Sequence, residues 1–202
     1  MFNNLKIGVR LGIGFAFVLL LLAAISLTSI TRIGELDVGI NEVVDQRLPK
    51  IFLADELALN VQHVGRAVRN MILTTDKNLE KQQLEAIAKA RSRNGEIFIK
   101  IEPLINTEKG KALMAKAMEL RTRYNTLTDR LLTLADTSSP QYNQDKAVQL
   151  LFGEYTEVAN AYNASLADFA AFQVDGAKKA GEHALELATA SKTLVISLAV
   201  AA

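Results

Sequence analysis

Four arginines stand out by their spacing. Arg66 and Arg69 are three residues apart, and Arg123 and Arg130 are seven apart. On a helix, either separation brings the pair to one face. A guanidinium fork can hold a carboxylate through two parallel hydrogen bonds, so such pairs suit the capture of a small organic acid or amino acid. Arg66 has Gln62 and Asn70 one turn away on either side, and neither can neutralise it. Counting ~1.5 Å per residue from the expected turns puts Arg69 and Arg130 near one level. Arg66, Arg123, Tyr124 and Tyr155 fall in a band below it, where a phenol could orient a bound acid. The candidate ligand-binding set is therefore Arg66, Arg69, Arg123, Arg130 and Tyr155. A competing reading is that arginines beside an apolar seam cover it with their stems and pair with surface acids. By the same logic Arg91 and Asn94 suit the fixing of helix register, and Tyr155 and Tyr162 suit a core.

Other chemistries find no support in the residues. There is no cysteine, which excludes disulfides and thiol catalysis. His63 and His183 lie on different expected helices without metal-pair spacing. No phosphate loop, zinc pattern or serine-nucleophile motif occurs. Net charge is +1, so no polyanion-seeking surface is expected and a nucleic-acid partner is not suggested. The expectation is a non-enzymatic protein with no cofactor and no metal.

The elements that must position the arginines follow from periodicity. From Leu11 to Thr31 no residue is charged, a run of roughly 30 Å as helix and about one bilayer core. That is longer than a signal-peptide apolar region of ~7–15 residues, so a retained membrane helix is expected. Lys6 and Arg10 precede the run without acids beside them, which places the N-terminus in the cytoplasm. The chain closes on KTLVISLAVAA, read as the truncated start of a second membrane helix. The expected layout is 1–10 cytoplasmic, 11–31 transmembrane, 32–190 periplasmic sensor domain and 191–202 the second membrane segment.

Within the middle region four helices can be read. The first carries Leu57, Val61, Val64, Val68 and Met71. The second carries Leu84, Ile87, Phe98, Ile101 and Ile105, with Arg91 and Asn94 on the same seam. Leu113, Ala117, Leu120, Tyr124, Leu127, Leu131 and Leu134 mark the third, and Val148, Phe152, Tyr155, Ala159, Tyr162, Leu166 and Phe169 the fourth. Both follow a heptad spacing. Asp76 is a candidate cap for the second helix. Pro103 should end that helix, and Ser139 with Pro140 should open the fourth. Pro49 should bend the first helix or mark a fresh start. Gly176, Ala177, Ala180, Gly181 and Ala184 permit close helix contact low in the fourth. The expected fold is all-α: a membrane-anchored, antiparallel up-down-up-down four-helix bundle with long first and last helices.

Two stretches carry a resemblance. NLKIGVRLGIGFAFVLLLLAAISLTSI resembles the opening of bacterial methyl-accepting chemotaxis proteins. RLPKIFLADELALNVQHVGRAVRNMILTTD is similar to the first helix of their four-helix-bundle sensor domain. The resemblance implies a chemoreceptor of the bacterial inner membrane that binds a small periplasmic ligand and passes a helix displacement across the membrane. It implies a homodimer in contact with membrane lipid. It also implies a histidine kinase and coupling protein, reached through a cytoplasmic part absent from this chain. In such receptors, first-helix arginines often meet ligand carboxylates at a dimer interface, the general region of Arg66 and Arg69. Arg123 and Arg130 would instead suit a site within one bundle, and the sequence does not choose between them. The same module also heads some histidine kinases and diguanylate cyclases. A membrane-anchored structural bundle without a ligand is the remaining alternative.

Overall fold

The computed structural model describes residues 6–201, with side chains to residue 199. Residues 1–5 and 202, the outer ends of the expected cytoplasmic N-terminus and second membrane segment, lie outside the described residues. Among the described residues all regular structure is helical. Helix α1 spans Ile7–Asn41, a π-helical segment spans Glu42–Arg47, and α2 spans Leu48–Leu73. Helix α3 spans Lys77–Ile101 and leads into a 3-10 turn, Glu102–Leu104. Helix α4 spans Glu108–Ala135, α5 Gln144–Leu150, a second π segment Leu151–Tyr155, and α6 Thr156–Ala201. The chain divides into two compact units, Gln46–Asp175 and the pair Met1–Asp45 with Gly176–Ala202.

In the unit Gln46–Asp175, hydrogen bonds give the directions of the helices. Asn70 of α2 donates to Gln83 of α3, while Asn60 donates to Asn94. Residues that advance along one helix retreat along the other, so the pair is antiparallel. Arg91 of α3 reaches Asp129 of α4, while Lys77 reaches Asp136 just past its end, again antiparallel. The core is apolar and contiguous. All five residues of the expected first seam are buried, from Leu57 and Val68 at 0% exposure to Val61 at 2%. Asp76 caps α3 by accepting from the backbone N–H groups of Asn78 and Leu79. Pro103 sits in the 3-10 turn that ends that helix. Thr107 then caps α4 by accepting from Gly110 N–H.

Pro49 falls in the first turn of α2, where regular α-helix resumes after the π segment. Proline removes the hydrogen bond to the carbonyl four residues earlier, here that of Asp45, and its ring crowds that oxygen. The wider π turn at Glu42–Arg47 gives this carbonyl room, and helix runs from Ile7 to Leu73.

Five expected positions are corrected. Ser139 and Pro140 do not open the fourth helix. The Ser139 hydroxyl is used within a turn, accepting from Gln141 N–H, and the helix starts at Gln144, capped by Asn143. Val148 and Phe152 are not core residues; Phe152 is 75% exposed, and Ala147 and Leu151 are buried instead. The cause is the π segment Leu151–Tyr155, which leaves helical geometry at Gly153. It accommodates one residue more than a regular helix would, so the seam upstream slips by one position. On α3, Leu84 is 41% exposed, and the buried seam begins at Ile87. Its first turns are tied down by polar bonds. Buried Glu80 accepts from Lys77 and from the Thr137 hydroxyl, at 2.7 and 2.9 Å. On α4, Leu113, Leu120 and Leu134 are half-buried against the core while Met114, Thr128 and Ala135 are fully buried. A helix with neighbours on two sides buries a face wider than a two-position seam.

In the other unit, α1 contains a stretch of mean hydropathy 2.5, long and apolar enough to cross a membrane. It is the one such stretch among the described residues. Its apolar side chains are open, Leu11, Phe15, Leu20 and Leu27 among them. A methyl group at Gly39 would stand 3.3 Å from the Ala184 Cβ and 3.7 Å from the Ala180 carbonyl oxygen, so the absent side chain lets α1 and α6 approach closely. Thr28, Thr31, Thr189, Ser191, Thr193 and Ser197 each donate to the carbonyl four residues earlier.

Candidate functional site

Arg66 and Arg69 lie on the exposed face of α2, opposite its buried seam. They line a groove of about 510 Å³ between α2 and the start of the last helix. Its far wall is Tyr155, Thr156, Asn160 and Asn163. No aspartate or glutamate lines it, and neither arginine forms an ion pair among the described residues. Two positive charges thus stand over a hollow with no internal counter-charge.

Tyr155 is placed by packing. It is 1% exposed, and its ring lies 5.2 Å from that of Tyr124. The Tyr124 hydroxyl donates to the Val61 carbonyl at 3.1 Å and stands 2.8 Å from the Tyr155 hydroxyl. With the Tyr124 proton committed to Val61, Tyr155 donates to Tyr124, and its remaining lone pairs are acceptors. Burial pushes all three phenols, Tyr124, Tyr155 and Tyr162, above their ordinary range, so they are neutral. The Oδ1 of Asn163 is also buried and without a partner. The groove therefore offers two guanidinium forks for an anion and two acceptors for a hydroxyl or ammonium donor.

The other sequence candidates go elsewhere. Arg130 lines a separate groove and stands 3.9 Å from Glu154. Arg123 is exposed, lines neither groove and pairs with no acid among the described residues. The four arginines are thus not one site: Arg66, Arg69 and Tyr155 share a groove, and Arg123 and Arg130 do not join them. Arg91 and Arg93 are engaged in structure. Arg91 bonds Asp129 at 2.7 Å and the Asn125 carbonyl at 3.1 Å; Arg93 grips Glu56 with two nitrogens. Glu56 is held below the ordinary carboxylate range, chiefly by that hydrogen bonding. Asn94 accepts from Asn60, the register role expected of a buried polar residue.

Asn160, Asn163 and Thr156 escaped the reading of the sequence. They follow Tyr155 at one, five and eight residues, a helical face that becomes readable only once Tyr155 is known to form a wall.

Over residues 4–188 the sequence matches the model of a four-helix-bundle sensory module for signal transduction. The chain belongs to that family. No curated protein and no solved structure matches it. The match spans both the apolar stretch of α1 and the bundle. This member is a chemoreceptor-type sensor domain.

Proposed function

We propose that this sensory module binds a small carboxylate, an organic acid or amino acid, in the groove under Arg66 and Arg69. The observation that carries the reading is the absence of any acid in a lining that holds two unpaired arginines. A desolvated carboxylate between two such forks gains charge-assisted hydrogen bonds, and no internal ion pair has to be broken first. Tyr155 and Asn163 would accept from a neighbouring hydroxyl or ammonium on the ligand.

Binding is non-covalent, and its output is a shift in position. The ligand bridges α2 and the start of α6, and differential contacts in two arrangements bias their spacing. Helix from Ile7 to Leu73 and helix α6 to Ala201 carry those two walls onward. In this reading α1 crosses the bacterial inner membrane with Lys6 and Arg10 on the cytoplasmic side, and the bundle faces the periplasm. The receptor works as a homodimer in lipid. It controls chemotaxis through a histidine kinase and coupling protein reached by a cytoplasmic part outside this chain.

Calorimetric titration of the full chain in lipid nanodiscs with a panel of small carboxylates tests the site. At least one should bind, its amide should bind about tenfold weaker or less, and Arg66→Ala or Arg69→Ala should weaken it similarly. Equal affinity in the arginine variants would remove the site. Silence across the panel would remove the ligand class.

A further inference from the structure

Two apolar pairs lie upstream of Tyr155, and only one is in use. Ala147 and Leu151 are buried, at 0% and 4% exposure, while Val148 and Phe152 stand 37% and 75% exposed. Each pair is spaced by four residues, so each makes a stripe on a helix. The π segment Leu151–Tyr155, which leaves helical geometry at Gly153, selects between them. At about 100° per residue, closing that wide turn to regular helix would rotate the helix upstream by about 100°. Val148 and Phe152 would then line up with Tyr155, Ala159 and Tyr162, on the heptad of the sequence, and Ala147 would leave the core.

We infer that α5 is a two-register switch, held in one register by the π segment and turned into the other when that segment closes. The drive is the ring of Phe152, which gains by leaving water. Gly153 does not resist, since nothing lies within 4 Å of its Cβ position. The loop 136–143 absorbs the turn. The tethers to be remade there are the Gln144 amide on the Ile72 carbonyl, at 3.2 Å, and the Asn143 N–H on the Leu134 carbonyl, at 2.9 Å. The hold is Thr156. Its hydroxyl donates to the Leu151 carbonyl, five residues back, at 2.6 Å. That reach belongs to the wide turn; in a regular helix the same hydroxyl meets the carbonyl four residues back. Thr156 also lines the groove under Arg66, so an occupant that takes its hydroxyl releases the turn. This input rests on the carboxylate reading above; the two registers do not.

The test is maleimide labelling of the full chain in lipid nanodiscs. The chain has no cysteine, so Ala147→Cys, Val148→Cys and Ala117→Cys each place a single thiol. Ala117, buried on α4, is the control. Labelling of a protected thiol follows the population that exposes it. Gly153→Ala raises helix propensity and should move that population about fivefold. Thr156→Val removes the hydroxyl bond and should move it about as far. In either variant the thiol at 147 should therefore label about fivefold faster, the thiol at 148 no faster, and the thiol at 117 unchanged. The proposal fails if the thiol at 147 stays as protected as in the parent in both variants. It fails equally if the thiols at 147 and 148 speed up together, as fraying would make them, or if the thiol at 117 follows. If only Gly153→Ala speeds the thiol at 147, the hold by Thr156 and its link to the groove are overturned. Carboxylate titration is read separately, and its failure would remove the input while the registers stand.

Discussion

The groove that Arg66 lines takes Tyr155 from the π segment Leu151–Tyr155 and the groove that Arg130 lines takes Gly153 and Glu154, yet the two present opposite electrostatic problems. Under Arg66 and Arg69 the charge is one-sided, and only a ligand can complete it. Beside Arg130 the charge is already half-completed by Glu154, and a ligand must do better than the partner in place. A count of arginines cannot tell these cases apart; the arrangement of carboxylates around them does. Arg91 and Arg93 mark a third case, in which carboxylates on other helices already hold the guanidinium groups at hydrogen-bond distance.

The largest way to break the comparison is to remove the wall of the one-sided groove. Tyr155→Ala deletes a buried ring and should cost ~3–5 kcal/mol of stability, read as a lowered denaturant midpoint, and carboxylate binding under Arg66 should be lost with it. Unchanged carboxylate affinity would remove Tyr155 from that wall. Next in size is the double variant Arg66→Ala, Arg69→Ala. Each arginine is exposed, so stability should change by only ~0.5 kcal/mol. Carboxylate affinity should fall by about a hundredfold.

Deleting Gly153 sharpens the contrast more gently. The deletion removes the extra residue and leaves Ala147 and Leu151 in regular helical register with Tyr155. Stability should stay within ~1 kcal/mol, and hydrogen exchange of the core should be unchanged. Carboxylate binding under Arg66 should be unchanged, because Gly153 lines the other groove.

The smallest effect is that of acid. Asp136, in the loop between α4 and α5, is held below the ordinary carboxylate range, first by the backbone N–H of Ser138 and then by Lys77. A depressed native value means the contribution is present above the ordinary carboxylate pKa and is lost as pH falls through the native one. Thermal midpoints of the wild type and Asp136→Asn should therefore converge in strong acid and separate slightly, in favour of wild type, near neutrality. Since Asp136 is 41% exposed, the separation should be small. A larger gap in acid than at neutrality would reverse the assignment.

How much of this was legible in the sequence depended on range. The α2 seam, the Asp76 cap and the stop at Pro103 are written in neighbouring residues and were readable. The slip at Gly153 was not, because the run Val148, Phe152, Tyr155 is a faultless heptad on paper; only tertiary packing shows that Ala147 and Leu151 face inward. Ser139-Pro140 looked like a helix start because its competing use, a turn, employs the same hydroxyl. The absence of an acid one turn from Arg66 singled it out correctly as unpaired. For Arg91, Arg93 and Arg130 the relevant carboxylates lie on other helices, beyond the reach of spacing on one.

The hydroxyls of α1 and α6 carry one more consequence. Each of the six spends its proton on its own backbone, one turn back. In oil such a serine or threonine exposes little unmet polarity and behaves almost like alanine or valine. On the membrane reading, these six hydroxyls add little to recognition between helices, and fit of surface to surface carries more of it. Bulk added at Gly39 should accordingly be felt more keenly than the loss of any of those hydroxyls.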